Sequence, residues 1–372
     1  MRMKKILSLL CLFPLLLSAA ADEEGFRPLF NGKDLSGWVA VNTAPSTWSV
    51  VDGMIHCTGQ PTGEMRTDRM YQNFILEVEW RHLKPRGNAG IFIWADDITA
   101  RGQPFHRGIE VQVLENAYGQ GRGHTTHGDI FPIHGAKMKP VNGRGGGRAF
   151  PSEDRSKPSP EWNHYRITCQ DGSITLAVNG KVVTSGNEAS PSKGYICLES
   201  EGGVVDYRNL KIKELPDTPV AAEDIAIADR GYRSLYTGVD VSGWTSQKPG
   251  AWAAQNWNLV YTEEKTDDAL TSKDTFGDIG FIFDLRRTNK SKQTAVLLRG
   301  HKLIAIDGDT PWLVKKGWNR FEGTVKGGLL NLSVNGQVLL TDKSVGDLTA
   351  KGPLVLAPAG PVSFANIYVR DL

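Results

Sequence analysis

The chain has 372 residues, enough for two or more domains, and 40% of them are hydrophobic, which supplies ample material for packed cores. The 43 basic and 41 acidic residues nearly balance, so the chain lacks the strong positive charge that is typical of nucleic-acid-binding proteins. The four cysteines form no CxxC pair, which argues against a disulfide framework and against a cysteine zinc site. The composition therefore indicates a globular protein with no nucleic-acid partner.

Residues 1–21 have the composition of a secretory signal peptide. A basic start precedes an apolar run from Ile6 to Leu17, and three alanines then offer a cleavage site before Asp22. The apolar run is too short to span a membrane, and no other segment approaches the roughly 18 apolar residues that a transmembrane helix needs. We therefore expect an exported protein, periplasmic or extracellular, with no transmembrane segment.

The rest of the chain contains an internal repeat. FRPLFNGKDLSGW, from Phe26, is echoed by YRSLYTGVDVSGW, from Tyr232, and the run that starts at Trp162 is echoed from Trp318. Self-similarity of this kind predicts a tandem duplication. Prolines and an Ala/Asp/Glu-rich run separate the two copies, so we expect a first domain, a linker and a second domain at 22–215, 216–230 and 231–372.

Both copies consist of short runs in which apolar and polar residues alternate, as in the run from Phe74 to Arg81. Turn residues separate these runs, and Asn179-Gly180 and Asn335-Gly336 are typical of type I′ hairpins. After residue 21, none of the runs has a sustained helical period. The sequence therefore predicts an all-β protein made of two β-sandwiches of jelly-roll size.

Most of the groups that could perform chemistry lie in one stretch, from Arg107 to His134. Within it Glu110-Val111-Gln112-Val113 alternates polar and apolar residues, so we expect the polar pair on an open outer face and the valines in the core. A glycine-rich loop follows, with His124, His127, Asp129 and His134. Such a cluster suits proton transfer or metal binding, and the alternative is a polar strand face followed by a solvated loop.

The distance in sequence between an echoed segment and its copy is about 50 residues shorter for the run at Trp162 than for the run at Phe26. The first copy therefore contains about 50 residues that the second copy lacks. The extra segment holds the Glu110 strand, the histidines and the run GRGGGR around Gly145, which we interpret as a flexible flap. We therefore expect the first copy to carry the catalytic activity. The second copy, a degenerate sandwich, would be catalytically silent.

The run Glu110-x-Gln112-x-x-Glu115 has the spacing of the E-x-D-x-x-E motif of laminarinase- and lichenase-type β-glucanases, with Gln112 in place of the aspartate. An amide cannot share a proton with the glutamates, which counts against direct hydrolysis of an unoxidised glucan. His124-x-x-His127 is compatible with a zinc site, and solvated histidines are the alternative. Trp94 would suit stacking on a sugar ring, and a core position is the alternative.

Nearly all of residues 26–215 resembles the 3-keto-disaccharide hydrolase domain family. The resemblance rests on segments that occur in family order, LFNGKDLSGW, WSVVDGMIHCTG, FILEVEWR, GNAGIFIW, GIEVQVLEN, EWNHYRI, NGKVV and GYICLESEGGVVDYRNLKIKEL. It implies a concanavalin-A-like jelly roll and chemistry on sugars already oxidised at C3. The second half resembles the family only at its edges, and Glu115 stands where the family often has aspartate.

The resemblance implies cleavage of 3-keto-glycosides and 3-keto-disaccharides. A ketone at C3 acidifies the C2 hydrogen, so a base can remove it, the C1 substituent can leave by β-elimination, and added water gives net hydrolysis. We expect a histidine such as His127 or His134 to be the base, and Glu110 or Glu115 to be the acid or a metal ligand. The residues to which we assign catalytic roles are therefore Glu110, Glu115, His127 and His134. The residues to which we assign substrate-binding roles are Arg107, Gln112, Trp94, His124 and Glu199.

The cofactor and the partners follow from the same resemblance. Either Arg107 or a bound divalent metal could polarise the ketone oxygen, so the presence of a metal is left open. The partner is a carbohydrate, a 3-keto-glycoside, and a sugar 3-oxidoreductase could supply it. The alternative function is a carbohydrate-binding or scaffold sandwich without catalysis, because the same fold serves lectins.

Overall fold

The computed structural model describes residues 25–119, 126–262, 268–288, 292–346 and 348–372. The expected signal peptide and His124 lie outside the described residues. Within these residues the secondary structure is β apart from two 3₁₀ turns, at Asn116–Tyr118 and Ala222–Asp224, which confirms the all-β prediction. No helix in these ranges is long and apolar enough to span a membrane.

The first half forms strands because apolar residues recur at every second position. In β11, for example, Tyr165, Ile167 and Cys169 are buried, while the polar residues between them point away from the core. The strands of this half are β1 (Arg27–Pro28), β2 (Trp38–Val41), β3 (Trp48–Val51), β4 (Met54–Cys57), β5 (Gly63–Thr67), β6 (Phe74–His82), β7 (Asn88–Ala95), β8 (Gly108–Leu114), β9 (Ile130–Ile133), β10 (Lys137–Pro140), β11 (Asn163–Gln170), β12 (Ser173–Val178), β13 (Lys181–Ser190), β14 (Tyr195–Ser200) and β15 (Val205–Glu214).

The second half is built in the same way. Its strands are β16 (Arg233–Ser234), β17 (Trp244–Thr245), β18 (Trp252–Gln255), β19 (Asn258–Tyr261), β20 (Leu270–Phe276), β21 (Ile279–Arg287), β22 (Thr294–Leu298), β23 (His301–Ile306), β24 (Trp318–Lys326), β25 (Leu329–Val334), β26 (Gln337–Ser344), β27 (Gly352–Pro358) and β28 (Val362–Asp371). The predicted hairpins join β12 to β13 and β25 to β26. All four residues of the two Asn-Gly pairs have positive φ, as type I′ turns require.

The first half is a sandwich of two antiparallel sheets. One sheet has the order β10-β13-β12-β11-β6-β15-β4-β3, with β1 beside β15, and the other has the order β2-β5-β14-β7-β8-β9. Their facing sides enclose a core that includes Trp80, Trp94, Val111 and Tyr165. The outer side of the six-stranded sheet carries the candidate site.

The second half repeats this strand order. Its sheets have the orders β18-β19-β28-β21-β24-β25-β26, with β16 beside β28, and β17-β20-β27-β22-β23. Each strand has a counterpart in the first half, whereas β9 and β10 of the first half have none in the described part of the second. These two strands belong to the segment that the sequence predicts to be extra. The Glu110 strand, β8, has a counterpart in β23, so its assignment to the extra segment is wrong.

The second half holds the loop of residues 96–107, which connects β7 to β8. Asp284 is fully buried and accepts hydrogen bonds from the Gly102 amide at 2.7 Å and from the Arg320 guanidinium at 2.8 and 2.9 Å. Asn366 donates to two further carbonyl oxygens of the loop. Asp284, to which the sequence assigns no role, is therefore the centre of a buried polar link between the halves.

Candidate active site

Glu110 and Gln112 lie on the outer side of the six-stranded sheet. Val111 and Val113 belong to the core, so the side-chain alternation predicted for this strand is confirmed. The prediction of an open outer face is wrong, because only 5% of Glu110 and 2% of Gln112 is exposed. The polar side chains of this strand therefore lie in a covered region rather than on an open surface.

Two segments cover this side of the sheet. Phe105 of the loop 96–107 packs on Phe92, the strand neighbour of Glu110, with ring centroids 6.0 Å apart. Asp229, in the segment that joins the halves, pairs with Arg66 at 2.9 Å. Neither contact could be read from the sequence, because each joins residues that are far apart in the chain.

Glu199 converges with Glu110 over Gly90. Gly90 lies on β7 between the strands that carry the two glutamates. The Glu110 Oε1 and Glu199 Oε2 atoms each lie 2.9 Å from the position that a Cβ atom of Gly90 would occupy. The missing side chain of Gly90 therefore provides the space in which the two carboxyl groups meet.

The carboxyl groups of this cluster have raised pKa values. Burial raises the pKa of Glu110 well above its ordinary range, and the charge of Glu201 raises it further. Burial raises the pKa of Glu201 to about 7, against the opposing effect of its hydrogen bond with Asn88. Burial and the charge of Glu110 shift the pKa of Glu199 in the same direction. A pKa of about 7 allows the carboxyl group of Glu201 to exchange protons near neutral pH.

Gln112 positions the group that holds Glu201. The Gln112 Nε2 atom donates to Asn88 Oδ1 at 2.7 Å, and Asn88 Nδ2 in turn donates to Glu201 Oε2. The amide of Gln112 thus takes part in a relay of hydrogen bonds instead of sharing a proton with the glutamates. This placement explains how a glutamine fits where the β-glucanase motif has an aspartate.

Arg148 brings a positive charge to the cluster. Its guanidinium donates to Asp129 Oδ2 at 2.9 Å and lies 3.4 Å from the centroid of the Phe131 ring. Phe131 is the strand neighbour of Glu110 on β9. The Arg148 charge opposes the rise in the pKa of Glu110 that burial causes. The run GRGGGR therefore delivers a cation to the site.

A second group lies on the same side of the sheet. His106 contacts the Glu64 carboxylate through Nδ1, and its backbone amide donates to Glu64 Oε2 at 2.6 Å. The Cys197 Sγ atom lies 4.0 Å from His106 Nδ1. These three side chains could hold a metal ion, because their donor atoms all lie within 4.8 Å of one another.

His134 lies near this group and is neutral at pH 7. Burial, followed by repulsion from His106, lowers its pKa to about 4. Its Nε2 atom is buried and has no hydrogen-bond partner in the described ranges. His134 is thus a neutral imidazole at the edge of the site.

Glu115, which the motif spacing groups with Glu110, acts as a backbone cap. It accepts hydrogen bonds from the amides of Arg86 at 2.7 Å, Ala117 at 2.8 Å and Ser159 at 3.0 Å. Burial alone would raise the pKa of Glu115, but these three donors lower it. Glu115 therefore remains an ionised carboxylate that fastens the segment around Ser159, which accounts for it without a catalytic role.

His127 pairs with Asp154 through Nε2, and its buried Nδ1 atom has no partner among the described residues. The adjacent Gly128 lies against the side chains of Leu176 and Val178. His127 therefore approaches the sheet that contains β12. Among the described residues, the ion-pair partner of His127 is Asp154 rather than Glu110.

Two of the predicted substrate-binding residues have structural partners. Arg107 makes two hydrogen bonds of 2.9 Å to the Asp96 carboxylate, which holds its guanidinium. Trp94 is fully buried in the core, where its Nε1 atom donates to the Gln72 carbonyl oxygen at 2.9 Å. The stacking of a sugar on Trp94 is contradicted by this burial, and the alternative of a core position is confirmed.

A cleft of about 470 Å³ opens between the two halves beside Glu201. Thr62 and Asn256 join its two walls through hydrogen bonds of 2.8 and 2.9 Å. Val239 of the second half also lines the cleft. A cleft of this size at the boundary between two units is a common position for a small-molecule site.

Sequence reasoning missed several residues of the site. Glu201 and Cys197 lie at every second position around Glu199, so the alternation in ICLESE could have indicated one chemical face. Glu64 lies in the strand GEMRT, and its side chain could have been assigned to a face in the same way. His106 directly precedes the stretch from Arg107 to His134, which holds most of the candidate residues. The sequence gives no sign that these strands are neighbours.

The matching positions of the second half carry alanines. Leu198 of β14 pairs with Ile91, and Leu356 of the matching strand β27 pairs with Val296. In this alignment the counterparts of Gly90, Glu64, Glu199 and Glu201 are Ala295, Ala269, Ala357 and Ala359. The second sheet thus lacks the carboxylates of the first.

Known proteins resemble the chain as follows. A family model described as the 3-keto-alpha-glucoside-1,2-lyase-like domain matches residues 25–213. A candidate glycosyl hydrolase from Parabacteroides distasonis ATCC 8503 is 25% identical, with a TM-score of 0.41, over 52% of this chain and 95% of that chain. The carbohydrate-binding module CBM66 from Bacillus subtilis is 11% identical, with a TM-score of 0.35, over 48% of this chain and 97% of its own. No curated protein matches the chain.

Proposed function

We propose that this chain, which belongs to the 3-keto-alpha-glucoside-1,2-lyase-like family, is an enzyme that cleaves 3-keto-glycosides, including 3-keto-disaccharides. The family indicates a carbohydrate-active role. The observation that carries the proposal is the convergence of Glu110 and Glu199 over Gly90, which has no counterpart in the second half. A buried carboxyl group with a raised pKa suits general acid–base catalysis near neutral pH.

Glu110 is the base in the proposed reaction. It takes the proton from C2, which leaves an enolate with the oxygen of the C3 ketone. The enolate electrons then form a double bond between C1 and C2, and the C1–O bond to the leaving group breaks. Water adds to C1 and a proton returns to C2, so the net reaction is hydrolysis. A carboxylate with a raised pKa is a stronger base than His134, whose pKa is about 4.

Two further groups complete the proposal. The leaving oxygen needs a proton, and Glu201, with a pKa of about 7, can donate one near neutral pH. The enolate oxygen carries a developing negative charge, and the guanidinium of Arg148 is the cation whose charge reaches Glu110. We assign to Arg148 the role that the sequence suggests for Arg107, because the charge of Arg148 lowers the pKa of Glu110.

The cleft beside Glu201 is the proposed site of the leaving group. Its lining residues Gln60, Thr62 and Asn256 offer the amide and hydroxyl groups that bind sugar hydroxyls. Because Glu201 lines the cleft and raises the pKa of Glu110, the cleft adjoins the proposed base. Both halves of the chain would therefore contact a disaccharide.

Incubation of the purified full chain with a 3-keto-glycoside and with the same glycoside unoxidised tests the proposal. We expect release of the leaving group from the oxidised compound alone. In deuterated water the product should carry deuterium at C2, after correction for exchange without enzyme. Release from the unoxidised compound would instead indicate direct hydrolysis. Sugar binding without release from either compound would identify a carbohydrate-binding protein.

The cellular context is part of the proposal. Segment 1–21 would direct export, with cleavage before Asp22, and an oxidoreductase acting on C3 of sugars would supply the substrate. The units would be 22–215 and 231–372, joined by 216–230. N-terminal sequencing of the protein secreted by its host should begin at Asp22, and an uncleaved N-terminus would contradict the assignment.

A further inference from the structure

Glu64, His106 and Cys197 come together from three separate elements. Glu64 pairs with Glu199 across β5 and β14, and Cys197 lies two residues before Glu199, so both side chains share the outer side of the sheet. His106 enters from the loop 96–107 and contacts both of them. One oxygen, one nitrogen and one sulfur donor therefore surround a single point.

These buried side chains have two polar atoms without a partner among the described residues. All three side chains have no exposed surface. Within the part of the chain that the structure describes, Glu64 Oε1 and His106 Nε2 are buried without a hydrogen bond. Among the described residues, the one ion-pair partner of Glu64 is His106. The nearby Arg66 instead binds Asp229 and backbone oxygens. A buried carboxylate with an unpaired oxygen is strongly destabilising unless a cation neutralises it.

We infer that Glu64, His106 and Cys197 bind one divalent cation, either Zn²⁺ or an ion that, like Zn²⁺, prefers sulfur and nitrogen ligands. Thiolate and imidazole donors favour Zn²⁺ or Co²⁺, whereas Ca²⁺ and Mg²⁺ require oxygen donors. Binding would release the thiol proton of Cys197 to solvent.

The ion would serve to fix the covering loop. The loop 96–107 is held on its far side by Asp284 of the second half and would be held on its near side by the metal through His106. Fully buried ligands are characteristic of structural zinc sites, whereas catalytic zinc sites keep one position open. This inference stands on the ligand geometry and does not depend on the proposed reaction.

Metal analysis of the full chain without substrate tests the inference. After treatment with a chelator and reloading, we expect one Zn²⁺ per folded chain. The Co²⁺ form should absorb in the near ultraviolet through charge transfer from the Cys197 thiolate. Cys197→Ala should lose this band, and Cys169→Ala, which alters an equally buried core cysteine, should keep it. Folding of each variant is checked by circular dichroism.

A folded wild-type chain that takes up no Zn²⁺, or a band that persists in Cys197→Ala, would overturn the inference. If Cys197→Ala does not fold, Glu64→Gln decides, because the amide preserves shape but removes the anionic ligand. We expect this change to weaken Zn²⁺ binding by at least about 100-fold. Unchanged affinity would reject the site. A chain that binds zinc but cleaves no 3-keto-glycoside would refute the proposed function and leave the metal site intact.

Discussion

The two halves of the chain share one strand order but differ on one face of one sheet. The core-facing positions keep large apolar residues in both halves, as at Leu198 and Leu356. The outer positions around Gly90 carry glutamates in the first half, whereas those around Ala295 carry alanines. Alternate residues of one strand can therefore preserve a fold while the residues between them gain or lose a chemical function.

The second half nevertheless has a part in the site. It binds the loop 96–107 through Asp284 and Asn366, and that loop carries Phe105 and His106 over the six-stranded sheet. It also provides one wall of the cleft beside Glu201. We therefore propose that the halves divide their roles, with the chemistry in the first half and part of the support and binding in the second.

The largest expected effect comes from removing the proposed base. Glu110→Gln keeps the size of the side chain but cannot accept the C2 proton, so the turnover of a 3-keto-glycoside should fall by about 1,000-fold. Measured kcat values provide the check. The matched control is Glu188→Gln, because the Glu188 side chain is 71% exposed and pairs with Lys139 on the surface. Comparable losses in the two variants would contradict the role of Glu110.

Removing the buried link between the halves should destabilise the protein. Asp284→Ala leaves the Arg320 guanidinium without its carboxylate and the Gly102 amide without an acceptor. The free energy of unfolding should fall by about 3–5 kcal/mol, as measured by urea denaturation. Asp274→Ala is the control, since Asp274 is 63% exposed and its pair with Arg233 should contribute at most about 1 kcal/mol. An equal, small effect of both changes would show that the link contributes little.

The sequence predicted much of the fold because alternation and turn residues are local signals. The burial of Val111 and Val113 and the turns at Asn179-Gly180 and Asn335-Gly336 follow from neighbouring residues in the chain. A register between strands distant in sequence is not a local signal. The meeting of Glu64 on β5 with Glu199 on β14 could therefore not be predicted.

The site was harder to predict for a second reason. The spacing of Glu110 and Glu115 suggests a catalytic pair, but Glu115 follows the end of β8, where its side chain caps a 3₁₀ turn. Clustered histidines suggest a catalytic base, but burial lowers the pKa of His134 and raises the pKa of Glu110. Burial is a property of the assembled fold, so the sequence could not show which residue type would be the stronger base.

The acidic cluster should make stability depend on pH. The pKa of Glu201 is about 7 in the folded state and 4.5 as the ordinary value, so the folded chain binds more protons between these pH values. The stability should therefore fall as pH rises from 4.5 to about 7, by up to about 3 kcal/mol from this group. Urea denaturation at several pH values should show a smaller decrease for Glu201→Gln. The difference between the two proteins reports Glu201 together with the part of the raised pKa values of Glu110 and Glu199 that the Glu201 charge causes. An identical decrease in the variant would contradict the raised pKa of Glu201.

Gly90, between the two glutamates, and its counterpart Ala295 in the second half can each be replaced by the residue type found at the other position. A Cβ atom at Gly90 would displace both carboxyl groups, so Gly90→Ala should reduce kcat by about 100-fold. Ala295→Gly, the reverse change at the matching position of the second half, should leave kcat unchanged, although loss of the side chain costs about 1 kcal/mol of stability. Activity assays of both variants provide the check. Full activity of Gly90→Ala would show that the carboxyl groups do not need this space.

The smallest expected effect concerns the wall that the second half contributes to the cleft. Val239 is 51% exposed, so a larger side chain there should be tolerated by the fold. Val239→Trp would occupy the proposed position of the leaving sugar, so we expect the KM for a 3-keto-disaccharide to rise by about tenfold. The kcat should change little, because Glu110 and Glu201 are untouched, and a methyl 3-keto-glycoside should be unaffected. Val338→Trp, at a position that is 69% exposed away from this cleft, is the control. An equal rise for both substrates, or none, would place the leaving group elsewhere and confine the second half to structural support.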